Sequence, residues 1–168
     1  MLPANPNSNE MLLQDIFSVS RIKAGLEAGD KDEVFEELVD VLVRGYNIPN
    51  RDEILAGIME RESRMSTGIK TGIALPHGKA AGIEGICGVI GISAEGIEYD
   101  ALDGEPVYLI ILLISSPDSA ELHLKTLKKI AGLLENPGFY TDMRAADSAE
   151  KAYSILKQYE NILESRES

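Results

Sequence analysis

The chain has 168 residues, 44% of them apolar, enough for one ordinary domain whose buried core needs no covalent staple. With 28 acidic against 16 basic side chains the net charge is -12, which argues against a surface for nucleic-acid backbones and favours a partner with a basic face. The single Cys87 excludes an intrachain disulfide; with no secretory leader and no apolar run near the roughly 20 residues of a membrane-spanning helix, a cytoplasmic protein is expected.

Pro3, Asn5, Pro6, Asn7 and Asn9 crowd the start of the chain with turn formers, so residues 1–9 are expected to be a disordered lead-in and residues 10–168 a single domain. A short element around Ser18 to Ala24 precedes Asp30-Lys31-Asp32-Glu33, which reads as a capping box. Val34, Phe35, Leu38, Val39, Leu42 and Val43 follow at helical spacing, and that helix should end before Pro49. Asn50 is placed to cap a second helix, from Asp52 to about Glu62, with Ile54, Leu55, Ile58 and Met59 facing inward.

Nine of the 15 glycines fall between Gly68 and Gly104, among Ile, Val and small residues without helical periodicity, a texture of short strands and tight turns. Ile86 to Ile92 and Val107 to Ile114 read as buried strands, the second apolar on both faces as a central strand would be. Glu95-Gly96 and Asp103-Gly104 supply turns between them. Ser115-Ser116-Pro117-Asp118 then offers a capping serine, a proline suited to a first helical position and a first-turn acid. On the expected helix His123, Leu127, Ile130 and Leu134 share one face. Asn136-Pro137-Gly138 stops it, and a last helix starts at the Asp147-x-x-Glu150 box, burying Ala152, Ile155, Leu156 and Tyr159.

Within this frame, chemistry concentrates at Leu75-Pro76-His77-Gly78-Lys79. Pro76 fixes the direction of entry, and Gly78 lets an anionic group or another backbone approach the imidazole closely. Read without context, a lone loop histidine such as His77 is more often a solvated surface residue than a catalyst. His123 lies just past the carboxyl end of the central strand, near a helix N-terminus, where open α/β sheets often bind anions. A core histidine satisfied by a backbone carbonyl is the other reading of it.

Several chemistries are excluded by what is missing. Gly72 to Lys79 resembles a nucleotide-binding Walker A loop, but five residues separate its glycines and Ala80 stands where Ser or Thr should hold magnesium. Two histidines 46 residues apart and no Cys-x-x-Cys give no metal-ligand spacing, so neither metal nor cofactor is expected. There is no Gly-x-Ser-x-Gly elbow, and Cys87 sits inside an apolar strand as a structural thiol. Histidine as a nucleophile remains, since an unprotonated imidazole nitrogen attacks phosphoryl groups near neutral pH.

Ser66-Thr67-Gly68 leading into Gly72-Ile73-Ala74-Leu75-Pro76-His77-Gly78 closely resembles the active-site signature of phosphotransferase-system enzyme IIA domains of the fructose, mannitol and nitrogen-regulatory type. The likeness extends to Arg61-Glu62 upstream, the apolar strand to Ile114, His123-Leu124 opening a helix, and Leu134-x-Asn136, covering roughly residues 10–165. It implies an α/β three-layer sandwich, with a small mixed sheet between helices. It also implies phosphoryl transfer from the histidine-containing phosphocarrier protein. By that resemblance His77 is the phosphorylated nucleophile, His123 orients the ring or the phosphate, and Arg61 neutralises phosphate charge, with Arg64 a rival for the last role. Ser66 and Thr67 either begin a strand or join Gly78 in binding phosphate, and Lys79 reads as a solvated charge.

The phosphocarrier typically presents basic residues around its own histidine, so the -12 charge implies an acidic rim about an apolar centre. Two outputs follow from the resemblance: delivery of phosphate to a IIB domain feeding a sugar permease, or a nitrogen-regulatory switch acting on transporters or kinases. With no fused IIB or IIC domain in 168 residues the second is favoured. A third class is a non-catalytic regulatory binding domain, against which the presence of His77 argues.

Overall fold

A computed structural model describes residues 11–68 and 70–167; the expected lead-in, residues 1–9, lies outside them. The sheet is organised by its most apolar strand, β5 (Val107–Ser115), whose Val107 and Leu109 to Ile114 are all at most 2% exposed. Burying each such side chain contributes about 2 kcal/mol, and a strand this apolar is stable only when covered on both faces. It is covered on both. Leu109, Ile111 and Leu113 point into one core, and Ile110, Leu112 and Ile114 into the other.

The first core is completed by α1 (Leu13–Ile16), α4 (Ala120–Leu134), α5 (Pro137–Ala145) and α6 (Ala149–Glu167). The second is closed by α2 (Lys31–Tyr46) and α3 (Arg51–Arg64). A mixed sheet thus lies between two helical layers, the three-layer α/β sandwich expected. Its strands are β1 (Ile22–Ala24), β2 (Ile73–Ala74), β3 (His77–Lys79), β4 (Ile86–Ile97) and β5, in the order β1-β4-β5-β2, with β3 also on β5. β4 runs antiparallel to β5, whereas β2 and β3 lie parallel to it, one after the other along its far edge. Ile73 pairs with Leu109 and His77 with Leu113.

Local chemistry explains the boundaries and where they depart from expectation. Asp30 Oδ1 accepts from Glu33 N at 2.9 Å and caps α2, while Glu33 reaches back to Gly29 N at 3.0 Å. Asn50 occupies the cap position of α3 but makes no capping bond; its Nδ2 donates instead to Glu53 Oε2 and to the Ala81 carbonyl. Glu95-Gly96 does not connect two strands. β4 continues through it to Ile97, with a register shift after Ile92 where Gly96 takes a φ of +92° that other residues resist. Gly88 is required by space: a Cβ there would stand 2.4 Å from the Phe17 ring.

α4 starts at Ala120, later than the Ser-Ser-Pro-Asp sequence suggests, because Ser115 stays in β5 and its carbonyl accepts from Ala80 N. Asn136-Pro137-Gly138 does end α4, but it also opens α5, a helix the sequence reading did not anticipate. Asn136 Oδ1 accepts from Gly138 N at 3.1 Å, and Pro137 takes the first helical position. α6 is capped by Ser148, whose Oγ accepts from Lys151 N, rather than by Asp147.

One fully buried carboxylate fastens the first helix to the last. Glu160 of α6 is 0% exposed; it accepts from Leu13 N and from Gln14 N (3.0 Å) at the start of α1, and pairs with Lys129 Nζ of α4 at 3.2 Å. These donors are the unpaired N–H groups of a helix start, where a carboxylate is favoured. Replacing Glu160 by Ala leaves those two N–H groups without their partner, while Lys129 keeps Glu164 Oε1 at 2.6 Å, so the expected cost is about 3 kcal/mol. It should appear as a lower urea midpoint with an unchanged slope; an unaltered midpoint would show that the anchor contributes nothing.

Candidate active site

His77 is held by backbone on both sides. It opens β3 rather than lying in a loop between strands: Leu113 N donates to the Pro76 carbonyl at 3.0 Å, and His77 pairs with Leu113 of β5. Its Nδ1 stands 2.8 Å from the Leu75 carbonyl oxygen. A carbonyl only accepts, so Nδ1 carries the proton, and in the neutral ring Nε2 keeps its lone pair. The turn at Leu75-Pro76 therefore sets both the position and the tautomer of the imidazole.

His123 reaches the same place from the opposite helical layer. It lies in the first turn of α4, 8% exposed, and its ring centroid is 5.3 Å from that of His77 with the planes at 58°. Its Nδ1 is 2.7 Å from Ser115 Oγ, the hydroxyl of the last residue of β5. Burial, then the nearby charges of His77 and Lys79, push its pKa from 6.5 down to about 4, so this imidazole is neutral at pH 7.

The two rings face a cleft of about 500 Å³ whose wall also includes Glu60, Arg61 and Arg64 of α3, Gly78, Lys79 and Leu127. Arg64 is committed to Glu60, with Nη2 2.6 Å from Oε1. Arg61 donates from Nη1 to the Met65 carbonyl at 3.2 Å, and among the described residues no carboxylate stands within ion-pair distance of it. The guanidinium with charge to spare is thus Arg61. Lys79 is exposed, as a solvated charge would be, and it also lines the cleft.

The acidic rim expected from the net charge is not found in this wall, where three cations face one carboxylate. A cationic cleft on an acidic protein concentrates positive potential where an anion would sit. The arrangement offers a nucleophilic nitrogen, a second imidazole with an N–H, and a guanidinium fork around one open space. That set suits attack on an anionic electrophile. Among the described residues no cluster of three His, Cys, Asp or Glu is placed to hold a metal ion.

The other residues singled out from the sequence are not all here. Gly78 lines the cleft, and a Cβ on it would meet the Gly57 carbonyl oxygen at an ordinary 3.6 Å. Ser66 and Thr67 are not among the described residues of the wall. Ser66 Oγ accepts from Gly68 N. Thr67 is 2% exposed: its N and Oγ1 donate to the Glu62 carboxylate at 2.9 and 2.6 Å, and Tyr99 OH lies 2.8 Å from Oγ1. Lys31 Nζ completes this buried knot at 3.1 Å from Glu62. The knot fixes the end of α3, and with it Arg61, against the segment leading to β2. Sequence reasoning missed the parts of Glu62 and Ser115. For Ser115 the only signal was a polar residue ending an apolar strand eight residues before His123.

Comparison with known proteins gives the family. Residues 15–159 match the family described as phosphoenolpyruvate-dependent sugar phosphotransferase system, EIIA 2. The chain is 31% identical over 150 residues to a nitrogen regulatory protein of Pseudomonas aeruginosa, covering 89% of this chain and 97% of that one. It is 29% identical over 150 residues to the fructose-specific EIIABC component of Bacillus subtilis, covering 89% of this chain but only 24% of that longer protein. Among solved structures, nitrogen regulatory protein IIA-Ntr from Neisseria meningitidis superposes with a TM-score of 0.78 at 31% identity, covering 86% of this chain and 98% of that one. The motif around His77, the sandwich and the family match together place the chain in the EIIA type 2 family of the phosphotransferase system.

Proposed function

We propose that this protein is a phosphoryl carrier that accepts phosphate on Nε2 of His77 from the histidine-containing phosphocarrier protein, with a regulatory output of the nitrogen-regulatory type. The observation that carries the reading is the 5.3 Å pairing of His77 and His123 in a cationic cleft, with His77 Nδ1 tied to Leu75 and Nε2 left as nucleophile. In the transfer, the Nε2 lone pair attacks the phosphorus carried on the donor's imidazole; the donor's N–P bond breaks and its electron pair returns to that ring. His77 keeps its Nδ1 proton, and the positive charge left on its ring is met by the Leu75 carbonyl. Arg61 and the N–H of His123 receive the phosphoryl oxygens, where preorganised donors are most effective.

Matches along nearly the full length of two nitrogen regulatory proteins support the regulatory output. The fructose-specific relative supports a second reading, in which His77 passes its phosphate to a IIB domain for sugar uptake. Both readings place the protein in the cytoplasm, where the donor would meet it. Purified protein mixed with phosphoenolpyruvate, enzyme I and the phosphocarrier should take up one acid-labile phosphate, and candidate IIB acceptors should remove it only under the second reading.

His77→Ala should abolish uptake; undiminished labelling in that variant would refute the assignment. His123→Ala should slow transfer about a hundredfold, leaving the labelled residue unchanged. Because Arg64 is already paired with Glu60, Arg61→Gln should cost about a hundredfold in rate and Arg64→Gln no more than about threefold. The reverse order would assign the phosphate to Arg64.

Keeping His123 neutral in the fold carries a linkage cost. Its pKa is about 4 when folded against 6.5 ordinarily, so between those values the unfolded chain binds the proton more readily. His123 therefore makes no demand above pH 6.5 and destabilises the fold progressively as pH falls from 6.5 towards 4. In urea titrations across that window His123→Asn should lose stability less steeply than the wild type, and parallel slopes would contradict a neutral buried imidazole.

A further inference from the structure

Ser115 is fully buried, and among the described residues its hydroxyl has one hydrogen-bond partner, Nδ1 of His123 at 2.7 Å. A neutral imidazole has one N–H, so two arrangements are open. If Nδ1 held the proton it would donate to Oγ, and the hydroxyl hydrogen would be buried without an acceptor. If the hydroxyl donates to Nδ1, both groups are satisfied and the ring proton is on Nε2. Burial penalises the first arrangement, because an unpaired donor cannot fall back on water.

We infer that Ser115 is a positioning residue that fixes His123 in the tautomer protonated on Nε2, making it a hydrogen-bond donor towards the group carried by His77. The backbone gives this grip its accuracy. Ser115 lies two residues after Leu113 on the same face of β5, and Leu113 is the partner of His77 in the β3 pairing. One strand therefore sets the register of the first imidazole and the tautomer of the second. A hydroxyl is suited to the task because it can donate where a backbone carbonyl, the partner chosen for His77, can only accept. The two rings thus receive opposite instructions: Leu75 leaves His77 with a lone pair on Nε2, and Ser115 leaves His123 with a proton there. A phosphoryl oxygen between them would meet a donor instead of a second lone pair.

The inference rests on the reading of His77 as phosphoryl acceptor, but its test separates the two. In unphosphorylated wild-type protein labelled with 15N-histidine, NMR should show His123 with a pyridine-type Nδ1 and a pyrrole-type Nε2. In Ser115→Ala the two nitrogens should move towards the averaged shifts of mixed tautomers, while the signals of His77 keep their pattern. Transfer to His77 should fall about tenfold in Ser115→Ala, and adding that change to His123→Ala should lower the rate no further, since the serine acts through that ring. A wild-type proton on Nδ1 of His123, an unshifted tautomer in Ser115→Ala, or rate losses that multiply in the double variant would overturn it. Should Ser115→Ala fail to fold, the wild-type spectrum alone decides the tautomer. Absence of phosphate uptake by wild-type protein with the Nε2–H tautomer present would refute the carrier reading and leave the part of Ser115 in the tautomer standing.

Discussion

The bond from His77 Nδ1 to the Leu75 carbonyl is the interaction on which the proposed chemistry depends. It is available only because Pro76 presents its carbonyl to Leu113 and β3 then runs parallel to β5, so the turn between β2 and β3 has a defined geometry. An imidazole free to rotate would divide its lone pair between two nitrogens. Here β5, buried on both faces and paired on both edges, supplies the rigidity, and a two-residue turn converts it into a tautomer.

Charge is organised on the same principle. The chain carries -12 overall, yet its cleft is lined by Arg61, Arg64 and Lys79 against Glu60. Two buried carboxylates serve elsewhere: Glu62 binds Lys31 and Thr67, and Glu160 binds Lys129 and the start of α1. The pairing of Glu60 with Arg64 leaves Arg61 as the guanidinium whose charge is not cancelled nearby. Buried pairs of this kind add little net stability but define geometry, and both fix elements that border the cleft.

Much of this was legible in the residues, and the exceptions have physical causes. The apolar run of β5, the periodicity of α2 and the Leu-Pro-His-Gly motif are strong because each is imposed locally, by period or by the special backbones of Pro and Gly. Helix starts were less certain, since Ser, Asn and Asp cap, turn or bond sideways with similar ease. Asn50 reaches across to Ala81, and Asn136-Pro137-Gly138 both ends one helix and begins another. Thr67 was open to two readings, a strand start or a phosphate ligand, and its hydroxyl is instead committed to Glu62, a partner set by tertiary packing. The part of Ser115 was illegible for the same reason, whereas the approach of His123 was expected from its place past the end of the central strand and from the resemblance; the spacing of 46 residues alone says nothing about it.

The central claim is that the Leu75 carbonyl selects the reacting nitrogen, and the direct measurement is the site of the N–P bond. Phosphorylated protein labelled with 15N-histidine, observed through 31P–15N coupling, should show phosphorus on Nε2 of His77 with the Nδ1 proton retained. Phosphorus on Nδ1 of His77, or on His123, would contradict the account.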